Sequence, residues 1–187
     1  SYPLPRFRDG AYQMVALARA GQLELAQQLS TYFAETDFLN STVAEADIPA
    51  VGIWALTEVA RNLNQPEYDR WLWPHVQRKA ELIEQMLSSN RPGYPVLSAA
   101  QFPFAENPDF LQVDLTAGKM DNQPGAISLD PSASAISYRA LMDAATLADR
   151  LNQSNTAQRW RAEAEEVQTA WQQSNITASA VPMNGLW

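Results

Sequence analysis

The stretch Thr42 to Leu87, TVAEADIPAVGIWALTEVARNLNQPEYDRWLWPHVQRKAELIEQML, decides how the chain is read. It opens with two carboxylates, Glu45 and Asp47, and Pro49 follows at the start of a helix, where a missing N–H costs nothing. Ile48, Val51, Ala55, Val59 and Leu63 then recur at helical spacing. The Asn64-Gln65-Pro66 turn breaks this pattern, and Leu72, Val76, Ala80, Ile83 and Leu87 resume it. The stretch is an antiparallel helical hairpin with acids and Trp54 near the start of its first helix.

The flanking sequence repeats the theme. Ser1 to Arg8 is extended and Pro-rich, and a helix follows from Asp9-Gly10, with Tyr12, Val15, Ala16 and Ala20 available for packing until Gly21 stops it. A second helix carries Leu25, Ala26, Leu29, Tyr32 and Phe33 as its stripe and ends in the polar loop Glu35 to Ser41. After the central hairpin, Arg91 to Ser132 loses all periodicity and holds six of the chain's twelve prolines. It is much longer than the ~12–15 residues of an ordinary structureless connection, which marks it as functional or disordered; its aromatics favour an ordered excursion. A fifth helix runs from about Ala133 to Leu151, with Tyr138, Leu141, Ala145 and Ala148 on one stripe. The sixth runs from about Thr156 to Gln173, with Ala157, Trp160, Ala164, Val167 and Trp171 inward and Arg159, Arg161, Glu163 and Glu166 mostly toward water.

The expected fold is therefore all-α: one α/α-hairpin domain over 1–187, with hairpins at about 9–35, 48–89 and 133–173 and a long Pro-rich loop over 91–132. Leu63-Asn64-Gln65 with Arg70-Trp71 and Leu151-Asn152-Gln153 with Arg159-Trp160 form a weak internal repeat, each spanning a turn between two helices. Hairpins repeating in this way point to an array or toroid of helix pairs, and their spacing does not fit the ~34-residue tetratricopeptide period. In such an array the short turns share one end and the return loops the other. Arg8 and Asp9, Glu45 and Asp47, and the loop bearing Asp114, Asp121 and Asp130 thus converge on one rim.

Composition narrows the function. Thirteen Lys and Arg stand against 21 Asp and Glu, a net charge of −8, and no basic run suggests a nucleic acid partner. No apolar run approaches the ~20 residues of a membrane span, and no signal-peptide pattern starts at Ser1, so the chain reads as soluble with its compartment open. Cysteine is absent. The only histidine, His75, reads as structural, which leaves no Ser-His-Asp triad and no zinc site of the usual kind; neither a calcium loop nor a phosphate-cradling Gly loop is present. No metal or cofactor is expected. What remains is carboxylates beside aromatics, a combination suited to sugars, because a pyranose packs its C–H face on a ring while its hydroxyls need polar partners. Two carboxyl groups, one protonated and one ionised, are also the minimal equipment for glycoside hydrolysis. Each acid reads equally as a helix cap or a solvated charge.

Phe7-Arg8-Asp9-Gly10-Ala11-Tyr12, Glu45-Ala46-Asp47 leading into Gly52-Ile53-Trp54-Ala55-Leu56, and Trp73-Pro74 before a long helix together resemble the (α/α)6 six-hairpin glycosidases, especially the glucoamylase type. Tyr138-Arg139-Ala140-Leu141 and Trp160-Arg161-Ala162 look like the helix pair that follows the catalytic-acid loop in that group. The resemblance implies a carbohydrate substrate, a glucose-type sugar, hydrolysed with inversion by water. It implies that Arg8 and Asp9 grip hydroxyls of the terminal sugar, that Glu45 and Asp47 line the cleft, and that Trp54 stacks nearby. The family's acid is a Glu beside a Trp in the loop before the fifth helix; here that loop has no such pair, and Asp121 and Asp130 are the substitutes. Three hairpins stand where the toroid has about six, so the expectation includes self-association or a missing second half. The competing expectation is a non-catalytic helical-repeat binding or scaffold domain.

Overall fold

The computed structural model describes residues 6–40, 43–44, 47–88 and 131–173. Among these the chain is all-α: α1 (Phe7–Arg19), α2 (Leu23–Glu35), α3 (Ile48–Leu63), α4 (Pro66–Ser88), α5 (Pro131–Arg150) and α6 (Ser154–Gln173). A short antiparallel ladder, β1 (Leu39–Asn40) with β2 (Val43–Ala44), sits on the return from α2 to α3. Nearly all of the long Pro-rich loop expected over 91–132 lies outside the described residues.

Local chemistry sets the helix ends. Pro66 and Pro131 each occupy a first helical position, and Pro49 lies in the first turn of α3. Gly21, at φ +79°, closes α1 in a Schellman arrangement: its N–H bonds to the Ala18 carbonyl at 3.1 Å, and the Gln22 N–H to the Leu17 carbonyl at 2.9 Å. Asn152, at φ +59°, does the same for α5, with the Gln153 N–H on the Ala148 carbonyl at 2.8 Å. Asn64, also left-handed at φ 49°, ends α3 with its N–H on the Ala60 carbonyl.

The three hairpins stack in order. α1, α3 and α5 form one row; α2 lies against α1 and α3, α4 against α3 and α5, and α6 against α5. α3 is at the centre, and from Ile48 to Ala60 only Trp54 is not fully buried. A helix apolar all round belongs in such a position. The expected stripes of α4, α5 and α6 do face the core, with Leu72, Val76, Ala80, Ile83, Leu87, Leu141, Ala145, Ala148, Ala157, Trp160, Ala164 and Val167 all buried. The side chain of Trp171, the last of the α6 stripe, is outside the described set.

The first hairpin corrects the sequence reading. α1 begins at Phe7, and its buried face is Phe7, Ala11, Met14, Val15 and Ala18, while Tyr12 is 66% exposed and Ala16 and Ala20 face water. α2 buries Ala26, Ser30, Phe33 and Ala34 and leaves Leu25, Leu29 and Tyr32 exposed. The rotation has a physical cause that hydrophobicity alone does not reveal. Ser30 is fully buried because it is satisfied: it donates to the Ala26 carbonyl at 3.1 Å and accepts from the Tyr68 hydroxyl at 2.6 Å.

A second buried polar cluster fixes the end of α2. That end has no basic residue in its last turn, and Thr36 after it is extended, so the final carbonyls of α2 lack the usual local partners. α4 supplies them from outside: Arg78 donates to the Ala34 carbonyl at 2.7 Å, and Lys79 donates to the Thr36 carbonyl. Both also hold Asp37, Lys79 at 2.8 Å and Arg78 at 3.1 Å. Lys79 is completely buried, and a Cβ placed on Gly52 would come within 3.4 Å of its stem and 3.3 Å of the Phe7 ring. One side chain thus touches the end of α2 from α4, at the point where α3 and the start of α1 meet.

Burial pushes the Lys79 ammonium down to about 8, against the attraction of Asp37, while burial pushes the Tyr68 phenol up to about 12. Between pH 8 and 10.5 the unfolded chain keeps the lysine proton that the folded chain has lost, so stability rises with pH. Above pH 10 the unfolded tyrosine ionises first, and stability falls. Urea unfolding followed by circular dichroism is therefore expected to show stability climbing from pH 8 to about 10 and then declining. Lys79→Met removes the climb and costs about 3 kcal/mol at pH 7, the lower end for breaking a buried pair because Arg78 still holds Asp37.

Candidate functional site on the α1–α3 rim

The residues that start α1 and α3 come from positions far apart in the chain and meet at one end of the stack. Arg8 donates through Nε to Asp47 Oδ2 and through Nη2 to Asp47 Oδ1, both at 2.7 Å. This two-point fork matches the planar guanidinium to a carboxylate and fixes both orientations. Asp47 occupies the N-cap position of α3 yet makes no capping bond to the helix; its carboxylate goes to Arg8 instead. Asp9 does not cap α1 either, since the N-cap is Arg6 and no side chain bonds there. Asp9 lies exposed in the first turn, where its charge suits the helix dipole.

One turn further along α1, and two along α3, an aromatic pair continues the seam. Tyr12 meets Trp54 edge-on, with ring centroids 5.2 Å apart and planes at 65°. Trp54 is half-buried and Tyr12 largely exposed, so the pair offers apolar ring surface to solvent directly inside the charged fork. The structure thus joins Arg8 to Asp47 along the α1–α3 seam and puts Trp54 further along it, while Asp9 is exposed in the first turn of α1. Tyr12 joins them although its sequence pattern assigns it to the core. Its spacing of four residues from Arg8 was the available signal, since residues i and i+4 share a helix face. Glu45, Asp121 and Asp130 lie outside the described residues.

Further down the same row runs a ladder of charges that sequence reasoning misses altogether. Arg19 of α1 donates to Glu58 of α3 at 2.8 Å, and Arg61 also pairs with Glu58. Arg61 reaches across to Asp143 of α5 at 3.0 Å, which in turn holds Arg139 at 2.7 Å. Glu58 and Asp143 are buried while their arginines reach solvent. Burial alone would raise the Glu58 carboxyl, but the hydrogen bond from Arg19 and the charges of Arg61, Arg19 and Arg139 outweigh it and hold it below its ordinary range. Held by Arg19 of α1 and Arg61 of its own helix, Glu58 ties α1 to α3.

His75 packs against Trp71 with centroids 5.2 Å apart, and burial lowers its pKa. Among the described residues no group of three or more His, Asp or Glu side chains could hold a metal ion. None of the described helices is long and apolar enough to cross a membrane.

No protein-family model matches the chain, nor does any curated protein or solved structure.

The Arg8–Asp47 fork is part-exposed, so its contribution lies between that of surface and buried pairs. A double-mutant cycle on Arg8→Met and Asp47→Asn, read by urea unfolding, is expected to give a coupling of about 1 kcal/mol. Tyr12→Ala is expected to cost under about 1 kcal/mol, because the ring is mostly exposed, and to redden the Trp54 emission by uncovering its indole.

Proposed function

We propose that the chain is a glycoside-hydrolase-like α/α-hairpin domain that binds a glucose-type sugar on the rim where α1 and α3 begin. One observation carries this reading: the Arg8–Asp47 fork and the Tyr12–Trp54 rings form adjoining polar and apolar surfaces beside the exposed Asp9. A pyranose needs both surfaces at once, a ring for its C–H face and charged groups for its hydroxyls. In this assignment Asp9 accepts hydroxyl protons. Asp47 holds the Arg8 guanidinium flat so that the fork presents a fixed edge. Trp54 and Tyr12 form the floor.

The chemistry follows from the glucoamylase resemblance. One carboxylic acid gives its proton to the leaving glycosidic oxygen while a second carboxylate takes a proton from water, which attacks the opposite face of the sugar and inverts the anomeric carbon. Asp121 and Asp130 are the residues we assign to the proton donor's role, with Glu45 lining the cleft. The domain would form part of an (α/α) toroid, completed by further hairpins or by self-association.

A second reading, a non-catalytic helical-repeat scaffold, draws on the mutual satisfaction of Arg8 and Asp47, which a purely structural seam would also produce. The two separate in a single series. On the first reading, reducing-sugar assays on a panel of α-glucosides give turnover that Asp121→Asn or Asp130→Asn lowers by at least 100-fold, and Asp9→Asn abolishes glucoside binding. Asp9→Asn changes stability by less than about 1 kcal/mol, the scale of a first-turn charge. Absence of both turnover and glucoside binding leaves the scaffold.

A further inference from the structure

The opposite end of the stack carries a groove. It has a volume of about 540 Å3, within the range of ligand sites, and it lies between the α3–α4 turn and the α5–α6 turn. These are the two turns of the Leu-Asn-Gln repeat, and Asn64 and Asn152, both left-handed, line the groove from its two sides. Gln153 adds a third side-chain amide, Trp73 a half-buried indole, and Asp69 and Arg150 a charged pair.

Three features describe the ligand that this lining would accept. The charges cancel locally: Arg150 pairs with Asp69 at 2.7 Å, and the neighbouring Arg70 pairs with Glu67 at 2.8 Å. An ion would find no uncompensated partner. Asp69 is only 4% exposed and its Oδ2 is taken by Arg150, so the carboxylate sets the guanidinium in place at the edge of the groove. Asn64, Asn152 and Gln153 each carry an amide able to both donate and accept, and Trp73, tilted against Trp160, lines the groove with them. We propose that this groove is a binding site for a neutral saccharide, whose vicinal hydroxyls both donate and accept and whose C–H face packs on Trp73. A peptide segment would use the amides as well, so a capped peptide is the control that separates the two. The site is separate from the rim, since short turns and return loops lie at opposite ends of the hairpins.

Titration calorimetry of the full chain with maltotriose, cellotriose and N-acetylchitotriose tests the assignment, with acetylated and amidated tetra-alanine as the peptide probe. The informative variant is the double substitution Asn64→Gly and Asn152→Gly, because glycine keeps both left-handed turns while removing both amides. A circular dichroism melt confirms that this variant is folded. The expected result is that at least one trisaccharide binds, that the double variant weakens this binding at least tenfold, and that Asp9→Asn leaves the same site intact. No binding of any trisaccharide overturns the proposal, as does unchanged affinity in the folded double variant or binding of the peptide alone. Sugar binding lost in Asp9→Asn but not in the double variant assigns it all to the rim; the reverse upholds the groove and removes the rim.

Discussion

The buried ammonium of Lys79 is the constraint on which the arrangement depends. The end of α2 leaves carbonyls that neither a local cap nor a basic residue in its own last turn satisfies. Lys79 and Arg78 of α4 bond these carbonyls and hold Asp37 just beyond them, so the chain leaves α2 in one fixed direction. The lysine stem passes over Gly52, whose missing side chain leaves room for it, and the same point receives Phe7 from α1. A charge buried this deeply is tolerable only when its hydrogen bonds are made, and those bonds exist only when α2 and α4 are in register. The cost of burying it therefore becomes a penalty on every other register.

From that fixed end the return path brings Asp47 to Arg8. Phe7 is buried next to Lys79 and Gly52, so the neighbouring Arg8 is delivered to the rim on a helix start that cannot rotate freely. The fork between Arg8 and Asp47 and the rings of Tyr12 and Trp54 are then consequences of how α1 lies on α3. The Arg19–Glu58–Arg61–Asp143–Arg139 ladder extends the same logic to α5, joining three helices of one row through two buried carboxylates. The row α1, α3, α5 is thus tied together by charged pairs as well as by its apolar contacts.

The internal repeat has a structural meaning that its sequence only hints at. In both copies Asn adopts the left-handed conformation that ends one helix, and Gln passes the chain toward the next. Asn is favoured there for local reasons, since its short polar side chain tolerates positive φ better than most. That the two turns face one another across a groove, with Asp69 and Arg150 between them, follows from the stacking of the hairpins. Local chemistry made the turns alike, and tertiary packing made them neighbours.

What the sequence determined by itself is what depends on neighbouring residues. The helix boundaries at Gly21, Asn64, Pro66 and Asn152 are legible because a left-handed turn or a missing N–H is a property of one or two residues. The inward faces of α4, α5 and α6 are legible because their apolar residues keep one period. That the starts of α1 and α3 lie at one end of the hairpins could be inferred from connectivity, which constrains ends but not side-chain partners. Tertiary structure alone decided the rotation of α1 and α2, where Ser30 is buried in place of Leu29 and Tyr12 lies outside. It also decided that Asp47 forks with Arg8 instead of capping its helix, that Glu58 is held between Arg19 and Arg61, and that Lys79 is the most deeply buried charge among the described residues. Each of these rests on a polar group finding a partner from another helix, such as Arg8 on Asp47, 39 residues away. Whether a polar side chain can be buried depends on that partner, and a local pattern of hydrophobicity carries no information about it.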